Sequence, residues 1–405
     1  MSENVSAAST AKAPAAKFGG AGLNVAIGAA AVATVVGLML WGMQLSGGFM
    51  DTAMRDLDPW GISIALFMLF IGVSVGAMVV ATAPKALGLG GFGGVTKLSA
   101  WIALCSAVVA VAFVVVDLGQ PLRLWEMLAY SNLGSPLMWD IVVISVYLVL
   151  GIVYLWMLRR ADGGSVSDKA VRIVSVVVFA VALVVIVVDG WIFGLMPARA
   201  MWHTALLAPW FVSSALVSGT AVVLVTATWL GRAGYVSFGG SNAAKLAKLL
   251  AAFVCVDLMF FMCDLVTEGF PADSAIVAML VSGPIAPWFW TQIVCLACAA
   301  LICLVPKART SGFLTVAAVL SIVGVFCKRM QLIVGGFQVP AFGDLSTFVT
   351  SHAAATGMRT GLMGVYEGAI YAPTLPEIGL AVGVVSLGVL MLLLGLKLLP
   401  LKSAE

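Results

Sequence analysis

Residues 60–83 read WGISIALFMLFIGVSVGAMVVATA and contain no charged side chain. A helix needs about 20 apolar residues to cross the hydrocarbon of a bilayer, so this stretch is long enough by itself. Gly72 and Gly76 within it form a small-xxx-small step, the spacing at which two membrane helices approach closely. The same length test, carried outward, predicts ten spans. They are Leu23–Leu45, Trp60–Ala83, Leu98–Val116, Leu137–Met157, Val171–Phe193, Leu206–Leu230, Leu249–Glu268, Pro287–Val305, Phe313–Gln331 and Pro376–Leu399. The predicted fold class is all-α, a polytopic membrane helix bundle. Residues 1–22 read as a disordered cytoplasmic tail, 23–399 as the transmembrane domain with a long outer loop at 332–375, and 400–405 as a second tail.

Composition supports the same conclusion. Of 405 residues, 62% are apolar and 10% charged, against roughly 25% charged in a soluble domain. A mean hydropathy of +1.13 leaves too little polar surface to cover a water-soluble core. The 43 glycines suit close helix packing in lipid. The net charge of +3, with no basic run outside loops, gives no footing for a nucleic-acid partner. The N-terminal region does not read as a secretory signal, because its apolar stretch is about twice as long as a signal h-region.

Charge sets the orientation. With the N-terminus cytoplasmic, 15 of the 21 basic residues fall on the inner side, while 14 of the 18 acidic residues lie outside or in the outer half. Basic residues collect in cytoplasmic loops, so ten spans with both termini cytoplasmic are expected, in a multi-pass protein of the cell membrane.

Ionisable groups inside a span cost about 2.5–3.5 kcal/mol each on insertion scales, and this sequence keeps several. Asp117 closes the third span, Asp140 sits in the first turn of the fourth, and Asp189 lies in the last turns of the fifth. Asp257 is near the middle of the seventh, with Asp264 two turns further on the same face. Lys328 and Arg329 are read as ending the ninth span, and Glu377 as beginning the tenth. All fall at the bilayer centre or in its outer half. They are expected to face the bundle interior or its outer mouth, within reach of Arg123, Arg199, Lys328 and Arg329. For Asp140 and Glu377, at helix N-termini where the macrodipole favours an anion, structural pairing is a sufficient account. Asp257 is too deep for that and reads as a proton-transfer or ligand-binding group. Asp117 and Asp189 fit either description.

Other motifs carry less. A haem held between helices needs two facing axial ligands, and His203, at the outer end of the sixth span, and His352, in the outer loop, make a poor pair. His203 shares a face with Arg199 if that segment is helical, as an outer-mouth proton donor or an interface residue. The stretch 88–93, GLGGFG, spells a dinucleotide fingerprint but follows a membrane helix rather than a strand. Cys295 and Cys298 form a CxxC inside an apolar helix, where cysteine is more often a packing residue.

Several stretches together resemble a known family. They are Asp58-Pro59-Trp60-Gly61-Ile62-Ser63-Ile64-Ala65, Asp117-Leu118-Gly119-Gln120-Pro121-Leu122-Arg123, and Ser135-Pro136-Leu137-Met138-Trp139-Asp140. Further along come Gly190-Trp191-Ile192-Phe193-Gly194, Ala198-Arg199, Trp202 and the run from Pro209 to Gly219. The last are Lys328-Arg329 and Pro373-Thr374-Leu375-Pro376-Glu377-Ile378. In this order they resemble the NrfD-like family, the membrane subunits of polysulfide reductase and related respiratory complexes, in its ten-helix branch. One departure is Ile186, where that branch often has histidine, leaving Asp189 as the nearby polar group.

The resemblance implies a quinone, menaquinone in particular, bound near the outer face, with no haem or iron–sulfur cluster in this chain. It implies an extracytoplasmic four-cluster iron–sulfur partner joined to a catalytic subunit such as a molybdopterin enzyme, and no catalysis by the chain alone. The expected quinone pocket lies between the outer ends of spans two to five and draws on Asp117, Trp139, Asp140, Trp191, Arg199 and His203. Asp117, Asp189, Asp257 and Asp264 are the expected proton-transfer groups, and Arg123, Lys328 and Arg329 the charge-tuning ones. The alternative is a secondary transporter or proton-conducting protein with Asp257 as coupling carboxylate, although paired Gly- or Pro-interrupted helices are not evident. The almost uncharged inner half offers no complete path for pumping across the whole membrane.

Overall fold

The computed structural model describes residues 20–54, 58–89, 92–236, 238–270, 274–338 and 371–399. Ten helices among them are long and apolar enough to cross a membrane. They are α1 (Ala21–Gly47), α2 (Ile62–Ala86), α3 (Thr96–Asp117), α4 (Pro136–Ala161) and α5 (Asp168–Gly194). The chain continues with α6 (Leu207–Arg232), α7 (Gly240–Glu268), α8 (Ala286–Leu304), α9 (Ser311–Gln338) and α10 (Leu375–Leu398). Shorter helices occupy Leu124–Ala129 and Ser274–Ser282, and no strand occurs among the described residues. The protein is thus a multi-pass all-α membrane protein.

Two boundaries differ materially from the sequence reading. Helix α7 starts at Gly240, not Leu249, because its first turns are amphipathic: Ala243, Leu246, Ala247 and Leu250 are buried while Lys245 and Lys248 are exposed. Helix α9 runs to Gln338, so Lys328 and Arg329 lie inside it rather than at its end. Its last turns are held by burial of Leu332, Ile333 and Val334 and by the Trp202 indole, which donates to Leu332 O at 2.8 Å. Residues 332–338 of the expected outer loop are therefore helical, while 339–370, with His352 and Arg359, lie outside the described residues, as do tail residues 1–19 and 400–405. His203 precedes α6 in a turn segment, with one helix-like bond from its N–H to Arg199 O at 3.1 Å.

Helix α2 is the hub, packing on α3, α5, α6 and α9. Its apolar window is 89% buried, against 11% for α1. The Gly72–Gly76 step lies against α6, so close that a Cβ at Gly76 would meet Ala215 O and Gly219. Helices α2–α5 and α6–α9 form two groups joined through α2, α5, α6 and α9, and α10 leans on α3. The connections at one end carry Lys85, which pairs with Asp168 at 2.8 Å, and buried Lys97, which pairs with Asp162. The other end, called the acidic end below, gathers the carboxylates.

Helix α1 packs mainly on α10, where Gly37 and Gly383 cross with no room for a Cβ on either. A Gln44 side chain adds one bond to Val116 O of α3, at 3.1 Å. Gly383→Leu is expected to detach α1 alone. Hydrogen–deuterium exchange should then speed up in α1 amides while α2–α9 stay as protected as before.

Candidate functional site

Asp117 is the last residue of α3 and Asp140 stands in the second turn of α4, so antiparallel packing brings both to the acidic end. Both line a cavity of about 400 Å³ enclosed by α2, α3, α4 and α5, within the range of small-molecule pockets. Its walls are otherwise almost wholly apolar, with Trp60, Phe67, Ile144 and Phe193 among them and Ser145 as a further polar group. The short helix Leu124–Ala129 borders it through Leu124, Met127 and Leu128. Exposed Leu124, Leu128 and Leu137 mark where it opens on the apolar flank of the bundle. One oxygen of Asp117 and one of Asp140 have no protein hydrogen-bond partner.

Beyond Asp140 the polar groups continue across the bundle. Asp140 is an electrostatic neighbour of Asp189, and Asp189 of Arg329. Asp189 is fully buried with neither oxygen hydrogen-bonded to protein, and Nε and Nη1 of Arg329 are likewise without a protein partner. Arg329 does donate to Ser214 Oγ at 2.8 Å, and its guanidinium lies 3.6 Å from the Phe211 ring centre. The adjacent Lys328 pairs with Asp257 at 2.8 Å, the two being 3% and 1% exposed. Its ammonium also sits 3.8 Å from the Trp210 ring centre. Ser213 Oγ donates to the same Asp257 oxygen at 2.8 Å. Asp264 is the next electrostatic neighbour of Lys328, with Thr204 beside it.

On the other flank, Asp117 faces Glu377 and Tyr371. Glu377 accepts from the Tyr371 hydroxyl at 2.8 Å and from the backbone N–H groups of Thr374 (2.7 Å) and Ala53 (3.1 Å). Thr374 Oγ1 in turn accepts from the Glu377 N–H, completing a capping box that starts α10. The Tyr371 hydroxyl also accepts from Ile62 N at 2.9 Å, tying α10 to the start of α2. Burial raises the Tyr371 phenol well above its usual range, so it stays protonated and keeps donating. Glu377 is thus a structural anchor.

The remaining predicted residues are placed elsewhere. Arg123 lies in the exposed connection after α3, pairs with Glu126 at 2.8 Å and does not reach the buried carboxylates. Trp139 is turned outward and donates to Leu133 O at 2.6 Å. Trp191, 40% exposed, borders a separate groove of about 510 Å³ between α5, α6 and α7. Arg199 sits over the Phe337 ring at 4.9 Å, beside a cluster in which Trp202 meets Trp60 and Phe193 at 6.1 and 5.2 Å. Partial burial lowers the proton affinity of its guanidinium, with Asp58 acting against that. His203 is exposed.

Sequence reasoning gave no role to Ser213, Ser214, Thr204, Gln331 or Tyr371. The adjacent serines of Pro209–Gly219 carry a usable signal, since hydroxyls on an apolar membrane helix hydrogen-bond polar groups of neighbouring helices, here Asp257 and Arg329.

The chain is therefore a multi-pass membrane protein with a carboxyl-bearing apolar cavity and a line of buried charge. It belongs to the NrfD family: the family model described as polysulphide reductase, NrfD, matches residues 51–341. It is 30% identical over 412 residues to a putative dimethyl sulfoxide reductase membrane subunit of Halobacterium salinarum, covering 93% of this chain and 91% of that one. It is 25% identical to a selenate reductase subunit of Mesobacillus selenatarsenatis, with 92% of each chain covered. An Hdr-like menaquinol oxidoreductase integral membrane subunit of Archaeoglobus fulgidus is 24% identical, with 85% of each covered.

Proposed function

We propose that this chain is the quinol-handling membrane subunit of a respiratory reductase complex. The observation that carries the proposal is the cavity between α2 and α5, lined by the carboxyls of Asp117 and Asp140 among apolar walls, each residue having one buried oxygen that no protein group meets. An aromatic headgroup with two hydroxyls fits such a site, since its ring suits the apolar walls and its hydroxyls need acceptors. The isoprenoid tail would leave past Leu124, Leu128 and Leu137. Oxidation of a quinol to the quinone releases two electrons and two protons. Asp117 and Asp140 are the bases positioned to take the protons, and Trp60 and Phe193 exclude bulk water from that wall.

Support for the redox partner comes from the relatives' names, which include reductase membrane subunits and a menaquinol oxidoreductase. We take the lipid to be menaquinol and the electron acceptor to be a four-cluster iron–sulfur protein at the acidic end, attached to a molybdopterin-type catalytic subunit. The distribution of basic residues supports an extracytoplasmic position for that end in the cytoplasmic membrane, with both termini inside.

Asp117→Asn removes one base while keeping its shape. Quinol oxidation by the purified complex is expected to fall on the order of 10²-fold. Unchanged turnover and unchanged inhibitor sensitivity would remove Asp117 from the site.

A further inference from the structure

At the end of the bundle away from the carboxylates, α4 and α5 are joined by the turn at 162–167. Arg160 O accepts from the N–H groups of Gly163 and Ser165, both at 3.2 Å, and Gly164 takes the positive φ of 70° that suits glycine. Ser167 caps α5 by accepting from Ala170 N at 3.3 Å. The adjoining helix ends are thereby held on ordered backbone. They carry Arg159, Arg160, Lys169 and Arg172, all exposed. The same hairpin has two carboxylates, and cations from α2 and α3 already engage both. Lys85 pairs with Asp168 at 2.8 Å, and Lys97 with Asp162. The four exposed cations have no ion-pair partner among the described residues.

These cations continue two apolar stripes. On α4, Val149, Ile152, Val153 and Trp156 are exposed and stand three or four residues apart, and Arg159 and Arg160 extend that face by one turn. On α5, Lys169 and Arg172 share a face with exposed Ile173 and Val176 by the same spacing. The Arg160 guanidinium lies 5.1 Å from the Trp156 ring centre, a cation–π contact that orients it over the indole. Tryptophan is enriched where the hydrocarbon meets the headgroups. Charge at the tip and oil along the shaft is also the order of groups in a phospholipid.

We propose that the α4–α5 hairpin binds an anionic phospholipid. Its headgroup phosphate sits among Arg159, Arg160, Lys169 and Arg172, and its acyl chains run along the stripes of Trp156 and Ile173. Charge selects the occupant. Four cations whose neighbouring carboxylates are already engaged favour an anion, and the guanidinium fork matches phosphate oxygens. The apolar stripes below require that this anion carry hydrocarbon, which a free phosphate lacks. With the basic end cytoplasmic, as proposed above, the hairpin meets the leaflet richer in anionic lipid. Arg160 lies about 30 Å along α4 from Asp140, at 1.5 Å per residue, so the lipid site is separate from the quinol cavity and does not depend on it.

The test is lipid binding to the purified full-length protein in a neutral detergent, followed by native mass spectrometry. Phosphatidylglycerol is expected to bind about tenfold or more tighter than phosphatidylcholine with the same chains. Inorganic phosphate in large excess should not displace it. Arg160→Gln with Arg172→Gln should weaken phosphatidylglycerol on the order of 20-fold, and Trp156→Leu, which changes no charge, about threefold. Lys245→Gln with Lys248→Gln removes the same charge from exposed positions on α7 and should leave the affinity unchanged. All these side chains are exposed, so the substitutions do not disturb packing. Equal loss in the two double variants would mean diffuse attraction to the whole basic end, and would overturn the site. Equal binding of the two lipids, or displacement by phosphate, would overturn it as well. If the Arg160 and Arg172 double variant keeps its lipid affinity but loses a copurifying protein, the face takes an acidic protein partner and the lipid proposal fails.

Discussion

Lys328→Met is expected to destabilise the bundle by about 3–5 kcal/mol, because it leaves Asp257 charged and without its cation at 1% exposure. Ser213 would remain as a hydrogen-bond donor to Asp257, at 2.8 Å, but a hydroxyl cannot neutralise a carboxylate. The variant also gives up the contact of the ammonium with Trp210, worth about 2 kcal/mol when desolvated. Removing both charges in Asp257→Leu with Lys328→Met should restore most of the stability, since a buried pair and an apolar pair of similar volume are close in energy. Thermal unfolding of the purified complex in detergent measures the difference. If the single variant unfolds at the wild-type temperature, the pair is not buried as described.

Filling the main cavity should have the largest effect on activity. Ile144 is buried at 6% and lines the cavity of about 400 Å³, so Ile144→Trp places an indole where the headgroup would sit. Overpacking normally costs about 1–3 kcal/mol, but here the added volume enters open space and the cost should be small. Quinol oxidation and quinone-analogue binding are both expected to fall on the order of 10²-fold. Val146, two residues on and 46% exposed, faces away from the cavity. Val146→Trp adds the same bulk on the outward face and should leave both quantities unchanged. Equal loss in the two variants would mean that bulk anywhere on α4 disturbs the protein.

The spans were legible because length in hydrocarbon is a one-dimensional property, and Trp60–Ala83 falls within a few residues of α2. What failed were ends decided by packing. The start of α7 is polar on one face, which a search for uninterrupted apolar sequence passes over. The continuation of α9 depends on Trp202, which is remote in the sequence.

The site was legible as a list of residue types and much less as an arrangement. Asp140 and Trp139 were both assigned to the quinone pocket, but neighbours on a helix point about 100° apart; burying Asp140 turns Trp139 outward. Asp189 and Trp191, two positions apart, divide in the same way, with 0% and 40% exposure. Arg123 looked like a tuning cation, yet Glu126 was already in reach three residues on. Lys328 had no such local partner, and its pairing with Asp257 on another helix follows from tertiary packing alone.

The most direct measurement is a structure of the complex with a bound quinone analogue. Its ring is expected between α2 and α5, with Asp117 and Asp140 within hydrogen-bond reach of its oxygens. A headgroup found instead in the groove beside Trp191 and Ser213, with the α2–α5 cavity filled by lipid chains, would contradict the quinol site described above.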